Sequence, residues 1–220
     1  MAATASPFGL KPTNMIGGAP YNGGAIRHFH VKSNNSAAIF NGDLVVLSSA
    51  GLPAAVSSTP SAIKDAHEGA AGTPGIVGVM VGATYIDTKG QLQFDQYLPA
   101  NSVTNGFTSV KIMVNDDPRQ LYKIQANAAL GTFNSGTDGS GFAGAIGKNC
   151  SLDFSTSGST TTGNSGVSLK IDTNGGTLAA TATLGMRVID VVEGTESDNF
   201  PEFIVKFNVG VHAYDNSLGV

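Results

Sequence analysis

The sequence predicts an all-β protein, a β-barrel or β-sandwich of about ten short strands. Three observations lead there. Only 13% of the 220 residues are charged, while glycine reaches 29 and Ser, Thr and Asn are plentiful. That composition suits short strands and turns better than amphipathic helices, which need a solvated charged face. Apolar residues alternate with polar ones in run after run, the period of a half-buried strand. Gly, Pro, Asn and Asp clusters punctuate these runs, and no segment carries a convincing helical period.

Residues 1–24 hold "GLKPTNMIGGAPYNGG", too rich in Gly, Pro and Asn for a helix or a central strand. Phe8, Leu10, Met15, Ile16 and Tyr21 are spaced through it, more large apolar side chains than a free tail carries. The expectation is an extended arm that docks, either on a neighbouring subunit or on its own domain. Residues 25–220 then form one β domain.

"IRHFHVK" (26–32) places Phe29 and Val31 on one face and His28, His30 and Lys32 on the other. "AAIFNGDLVVLSSAG" (37–51) sets Asn41-Gly42-Asp43, a tight-turn signal, before a buried strand. Residues 52–74 read as a loop with at most one helical turn. "GIVGVMVGATYID" (75–87) is a β-branched run in which Gly78 and Gly82 mark bends or close backbone approach. "QLQFDQYLP" (91–99) alternates through Leu92 and Phe94. "FTSVKIMVN" (107–115) puts Val110, Ile112 and Val114 on one side, and "LYKIQAN" (121–127) does the same with Tyr122, Ile124 and Ala126.

Between these last two runs stands "DDPR" (116–119), where a hairpin turn would fall. Residues 131–166 are low-complexity Gly, Ser and Thr and read as a turn-rich insertion, or one projecting from the surface. "VSLKID" (167–172), "TLAATAT" (177–183), "MRVIDVV" (186–192) and "EFIVKFNVGVHAY" (202–214) complete the set. The last alternates longest, with Phe203, Val205, Phe207, Val209 and Val211 facing one way.

Several function classes find no support. The net charge is −4 and basic residues are scattered singly, which argues against a nucleic-acid groove. Cys150 is the only cysteine, so neither an intrachain disulfide nor a cysteine-rich zinc site is available. The first residues lack the basic and apolar regions of a signal peptide, and no apolar run approaches the ~20 residues of a membrane-spanning helix. The expectation is a soluble protein made in a reducing cytosol, with no membrane or nucleic-acid partner and no cofactor.

Asp116 and Asp117 beside Arg119 are the densest charge in the chain, and three chemistries compete for them. Adjacent carboxylates on a strand point to opposite faces and cannot flank one scissile bond. No second acidic cluster supplies further oxygens for Ca²⁺. Asp followed by Pro is what a type I turn prefers for backbone reasons alone, so the polar corner of a turn at a loop tip is favoured. His28-x-His30 could offer two nitrogens to a metal, with His67 or His212 as a third, or sense pH; two histidines on a wet strand face are the simpler reading. "GSGFAG" (139–144) has the glycine spacing of a dinucleotide fingerprint but neither a preceding buried strand nor a following helix. Cys150 has no nucleophile's setting.

The order of segments carries a resemblance. The "PFGLKP…GG" arm, "IFNGDLVVLSSAGLPAA", "GIVGVMVGATYID", "DDPRQLYKIQAN", "TTTGNSGVSLKID", "MRVIDVV" and the terminal "FPEFIVKFNVGVHAY" together resemble the head decoration (cement) proteins of tailed bacteriophages. The resemblance implies a non-enzymatic virion protein, commonly a homotrimer, assembled in the host cytoplasm. Such a protein binds the major capsid protein on the capsid exterior and bridges capsomers. The expected capsid or subunit interface takes in Phe8, Leu10, Met15, Ile16, Tyr21, Asp116, Asp117 and Arg119. The alternative is a carbohydrate- or receptor-binding module of a phage tail or fibre, against which stand the absence of Trp and a count of only five Tyr. A third is a hydrolase with a loop-built site around Asp116, Asp117 and His28.

Overall fold

Alternation places the strands, and burial on one or both faces places the sheets. The computed structural model describes residues 5–20, 26–31, 35–47, 53–55, 76–130, 142–171, 178–180 and 184–215. Among them the chain is all-β. The strands are β1 (Lys11–Met15), β2 (Ile26–His30), β3 (Ile39–Phe40), β4 (Leu44–Leu47), β5 (Pro53–Ala55), β6 (Ile76–Ile86) and β7 (Leu92–Asp95). They continue with β8 (Tyr97–Leu98), β9 (Thr108–Asn115), β10 (Gln120–Gln125), β11 (Asn149–Asp153), β12 (Ser168–Lys170), β13 (Met186–Val191) and β14 (Glu202–Phe207). A single helical turn, α1, spans Phe142–Ala145.

Two antiparallel sheets make a sandwich. The first runs β1-β10-β14-β13-β11-β12; the second runs β2-β9-β6-β4-β5, with β7 paired to the far half of β6. A small ladder of β3 and β8 stands apart. One apolar cluster joins the sheets, with Leu10, Tyr122, Ile124, Phe203, Val205 and Phe207 meeting Leu44, Ile76 and Val79. A second lies on the other face of the second sheet, where Val45, Val77, Met80, Ile112 and Val114 pack with Ile39 and Leu98. The second sheet is therefore covered on both faces along part of its length, which explains why β6 is an almost unbroken apolar run. Gly78 lets β9 approach: a Cβ there would lie 2.1 Å from the Asn115 carbonyl oxygen. Register shifts flank both Gly78 and Gly82, as the sequence led one to expect.

Five expectations need correction. "DDPR" is not a hairpin turn, because β9 belongs to the second sheet and β10 to the first. Local alternation shows two strands and a turn, but it cannot show that the chain changes sheets between them. The last strand stops at Phe207. Gly210 adopts φ +82°, Val211 N–H bonds back to the Asn208 carbonyl at 3.2 Å, and Val209 turns out to solvent at 76% exposure. Of the insertion at 131–166, residues 131–141 lie outside the described residues, and 142–166 do not project: they contain α1 and β11, and Ser165 N–H bonds to the Asn41 carbonyl at 2.9 Å. The helical turn after "GSG" was not expected, though it is one turn long and opens no parallel crossover. In "TLAATAT" only residues 178–180 are described, and they form no strand beyond one bridge, Ala179 to Asn149.

The N-terminal segment is part of this scaffold. β1 is the edge strand of the first sheet, with Lys11 opposite Lys123 and Pro12 opposite Tyr122. An edge tolerates a proline that a central strand would not.

Candidate functional site

The corner between the sheets gathers the polar side chains that composition made conspicuous. Asn115 ends β9 and Gln120 begins β10, both fully buried. Asn115 Nδ2 donates to Gln120 Oε1 at 3.2 Å. Gln120 Nε2 in turn reaches the carbonyls of Thr13 and Asn14, each at 3.2 Å, and of Leu121 at 2.8 Å. A buried amide with its donors committed costs little and fixes geometry, so this pair holds β1 against the corner.

Asp116 and Asp117 diverge. Asp117 folds back on its own turn: its Oδ1 accepts from Arg119 N–H at 2.7 Å, and its carbonyl accepts from Gln120 N–H at 3.1 Å. The Arg119 carbonyl accepts from Ile16 N–H at 3.0 Å. Asp116 instead points inward, 7% exposed, where it pairs with the Arg27 guanidinium of β2 and accepts from Tyr214 Oη at 3.2 Å. Arg27 also donates to Tyr214 Oη and lies 5.2 Å and 5.1 Å from the Phe29 and Tyr214 ring centres. The hydrogen bond to Asp116 is the main reason the Arg27 pKa is raised. Strand alternation sends Arg27 to this cluster and His28 to the opposite face, so Asp116 and His28 do not converge on a shared substrate position.

His212 closes the cluster from the C-terminal segment. It is fully buried, its ring lies 5.6 Å from Phe207 and 5.1 Å from Tyr214, and Nδ1 accepts from Tyr214 N–H at 3.2 Å. The ring proton is therefore on Nε2. Burial pushes its pKa down, partly opposed by the carboxylates of Asp215 and Asp116. The cluster ties β2, the corner and the C-terminal segment together, and its carboxylate is already occupied by two partners.

The expected interface residues separate into three groups. Leu10 is wholly buried in the core between the sheets and is not available to another subunit. Phe8 lies under Lys123, whose ammonium is 5.2 Å from the ring centre and 3.0 Å from Glu202. Met15 is half-buried at the end of β1 and Ile16 is 43% exposed; Tyr21 lies outside the described residues. Asp116 is buried, whereas Asp117 and Arg119 remain at the surface of the corner.

A second polar clamp holds the arm. Lys11 Nζ donates to Asn41 Oδ1 at 2.9 Å and to Asn164 Oδ1 at 2.7 Å. Beside it Asp43 accepts from Ser165 Oγ at 2.5 Å and from Phe40 N–H at 2.8 Å. Burial lowers the Lys11 pKa and raises that of Asp43 despite these bonds. Gly9 and Gly42 meet backbone to backbone beneath the clamp, and Leu10 N–H bonds to the Gly42 carbonyl at 3.1 Å.

His28 and His30 are exposed on β2, away from His212, and His67 lies outside the described residues. Among the described residues no three His, Cys, Asp or Glu side chains gather as a metal site would require. Cys150 is buried in the core and its thiol pKa is driven up by burial, the reverse of an activated nucleophile. Sequence reasoning missed Arg27, Asn115, Gln120 and Tyr214, and named His212 only as a third metal ligand beside His28 and His30, whereas it packs with Phe207 and Tyr214. Gln120 alone left a signal, being polar in the buried phase of β10. Against known proteins the chain matches no family model, no curated protein and no solved structure.

Proposed function

We propose that the chain is a non-enzymatic virion protein that binds the outer surface of a tailed-phage head and stiffens it by bridging capsomers. The observation that carries this reading is the set of large apolar side chains left on the surface of a sparsely charged scaffold. Val209 is 76% exposed, Tyr214 47%, Ile146 44% and Ile16 43%. Such side chains on a braced β framework suit contact with a large protein surface. Weak contacts of this kind gain strength when many copies bind one lattice. The segment order resembling decoration proteins supports the same role, and with it a homotrimer on the major capsid protein. The occupied Asp116 carboxylate favours structure over catalysis at the corner.

Deleting residues 1–24 would not test the arm, because it removes Leu10 from the core. Ile16→Asp and Val209→Asp change exposed side chains only. Co-sedimentation with expanded heads of the tailed phage that encodes the chain should show saturable binding that either variant weakens. Absence of binding by the unmodified chain refutes the proposal.

A further inference from the structure

The free edge of β7 has the form of a self-complementary strand. β7 pairs with β6 in the register Ile86–Leu92, Tyr85–Gln93, Thr84–Phe94 and Ala83–Asp95. Asp87 N–H bonds to the Gln91 carbonyl at 2.9 Å, which makes 87 and 91 a hydrogen-bonded pair. Hydrogen-bonded and non-hydrogen-bonded pairs alternate along an antiparallel ladder. Gln93 and Asp95 therefore turn their backbone groups to β6, and Leu92 and Phe94 turn theirs outward. No other described strand pairs with that edge. The two outward residues carry the apolar side chains Leu92, 60% exposed, and Phe94, 71% exposed, on one face. An open edge with apolar side chains is a template for another strand.

We propose that β7 pairs antiparallel with β7 of a second copy of this chain, about a two-fold axis at Gln93. With the axis there, Leu92 of each copy lies opposite Phe94 of the other and exchanges both backbone hydrogen bonds with it. Their side chains form two aliphatic–aromatic cross-strand pairs on one face. Gln93 opposes its own copy, and Asp95 opposes Gln91, so no carboxylate meets a carboxylate. That charge pattern selects a second copy: "QLQFD" read against itself leaves no like charges opposed. A two-fold contact is isologous and closes on itself. It joins chains in pairs, and it holds whether or not the chain binds a capsid. Strand pairing this short buries little area, so the association is weak and is seen at high concentration.

Two measurements on the full chain decide it. Gln93 occupies a non-hydrogen-bonded pair, where Cα atoms approach to about 4.5 Å, within disulfide range. Gln93→Cys, oxidised in air with copper–phenanthroline, should give a covalent species of twice the chain mass. Leu92→Cys, two residues out of register with its own copy, should not. The native Cys150 is fully buried and leaves the background low. In sedimentation equilibrium up to about 0.5 mM, high enough to populate a weak pair, the weight-average mass of the unmodified chain should rise with concentration above that of Phe94→Lys. Equal masses, no cross-link at 93, or equal cross-linking at 92 and 93 each overturns the proposal.

Discussion

Replacing Gly9 by alanine tests whether the N-terminal segment is built into the domain. Gly9 has φ +73°, a conformation in which an L side chain costs about 1–2 kcal/mol. The new Cβ would lie 2.5 Å from Ser165 Cβ, 2.8 Å from the Gly42 carbonyl oxygen and 2.9 Å from Gly42 Cα. Two of these atoms are backbone, held by the Leu10–Gly42 bond and the Asp43 turn, so they cannot swing aside as a side chain end would. Overpacking of this sort adds roughly 1–3 kcal/mol. The expected loss is about 2–5 kcal/mol, on the order of 10 °C in Tm for a domain of this size. Gly17→Ala is the control: φ is +99° there too, but nothing lies within 4 Å of the added Cβ. Urea unfolding of both variants, with unchanged slope, gives the difference directly. If Gly9→Ala is no less stable than Gly17→Ala, residues 5–16 do not pack as described.

Leu10→Ala should cost about 2–5 kcal/mol in the same assay, the price of a core cavity, whereas Ile16→Ala should stay within about 0.5 kcal/mol. Arg27→Ala leaves the Asp116 carboxylate buried with only Tyr214 as partner and should destabilise by about 1.5–3 kcal/mol, the range for a hydrogen bond to a charged group. His212 has its pKa lowered by burial from an ordinary 6.5, so its unfolded form takes up a proton first as pH falls. Stability from this group is complete above pH 6.5 and declines as the pH falls below it; His212→Phe should flatten that part of a Tm–pH profile. Cys150 should react with a thiol reagent only at the rate of unfolding, and fast labelling of native protein would contradict its burial.

What could be read from the sequence was what period and local chemistry determine. The faces of β9 and β10 follow from alternation, as do the inward Phe29 and Val31 of the β2 region. The Asn41-Gly42-Asp43 turn follows from its residues, Gly42 at φ +98° and Asp43 closing it. Long-range partnership could not be read. Whether "DDPR" joins two strands of one sheet or carries the chain from one sheet to the other depends on which strands pair, and both readings share one local pattern. β1 and β11 hide in Gly-, Pro- and Asn-rich text because an edge strand and a short inner strand need few β-branched residues. The Asp116–Arg27–Tyr214 cluster joins positions 27, 116 and 214, which no local motif can announce. Leu92 and Phe94 alternate as an inward face would, yet they point to solvent.

The most direct test of the structural role is stoichiometric. Purified chain is mixed with expanded tailed-phage heads from the phage that the proposed role assigns it to, and occupancy is measured by co-sedimentation alongside the heads' melting temperature. A capsid-stiffening protein saturates at a fixed number of copies per capsid subunit and raises the temperature at which the heads rupture. No saturable binding, or binding that leaves the rupture temperature unchanged, contradicts it.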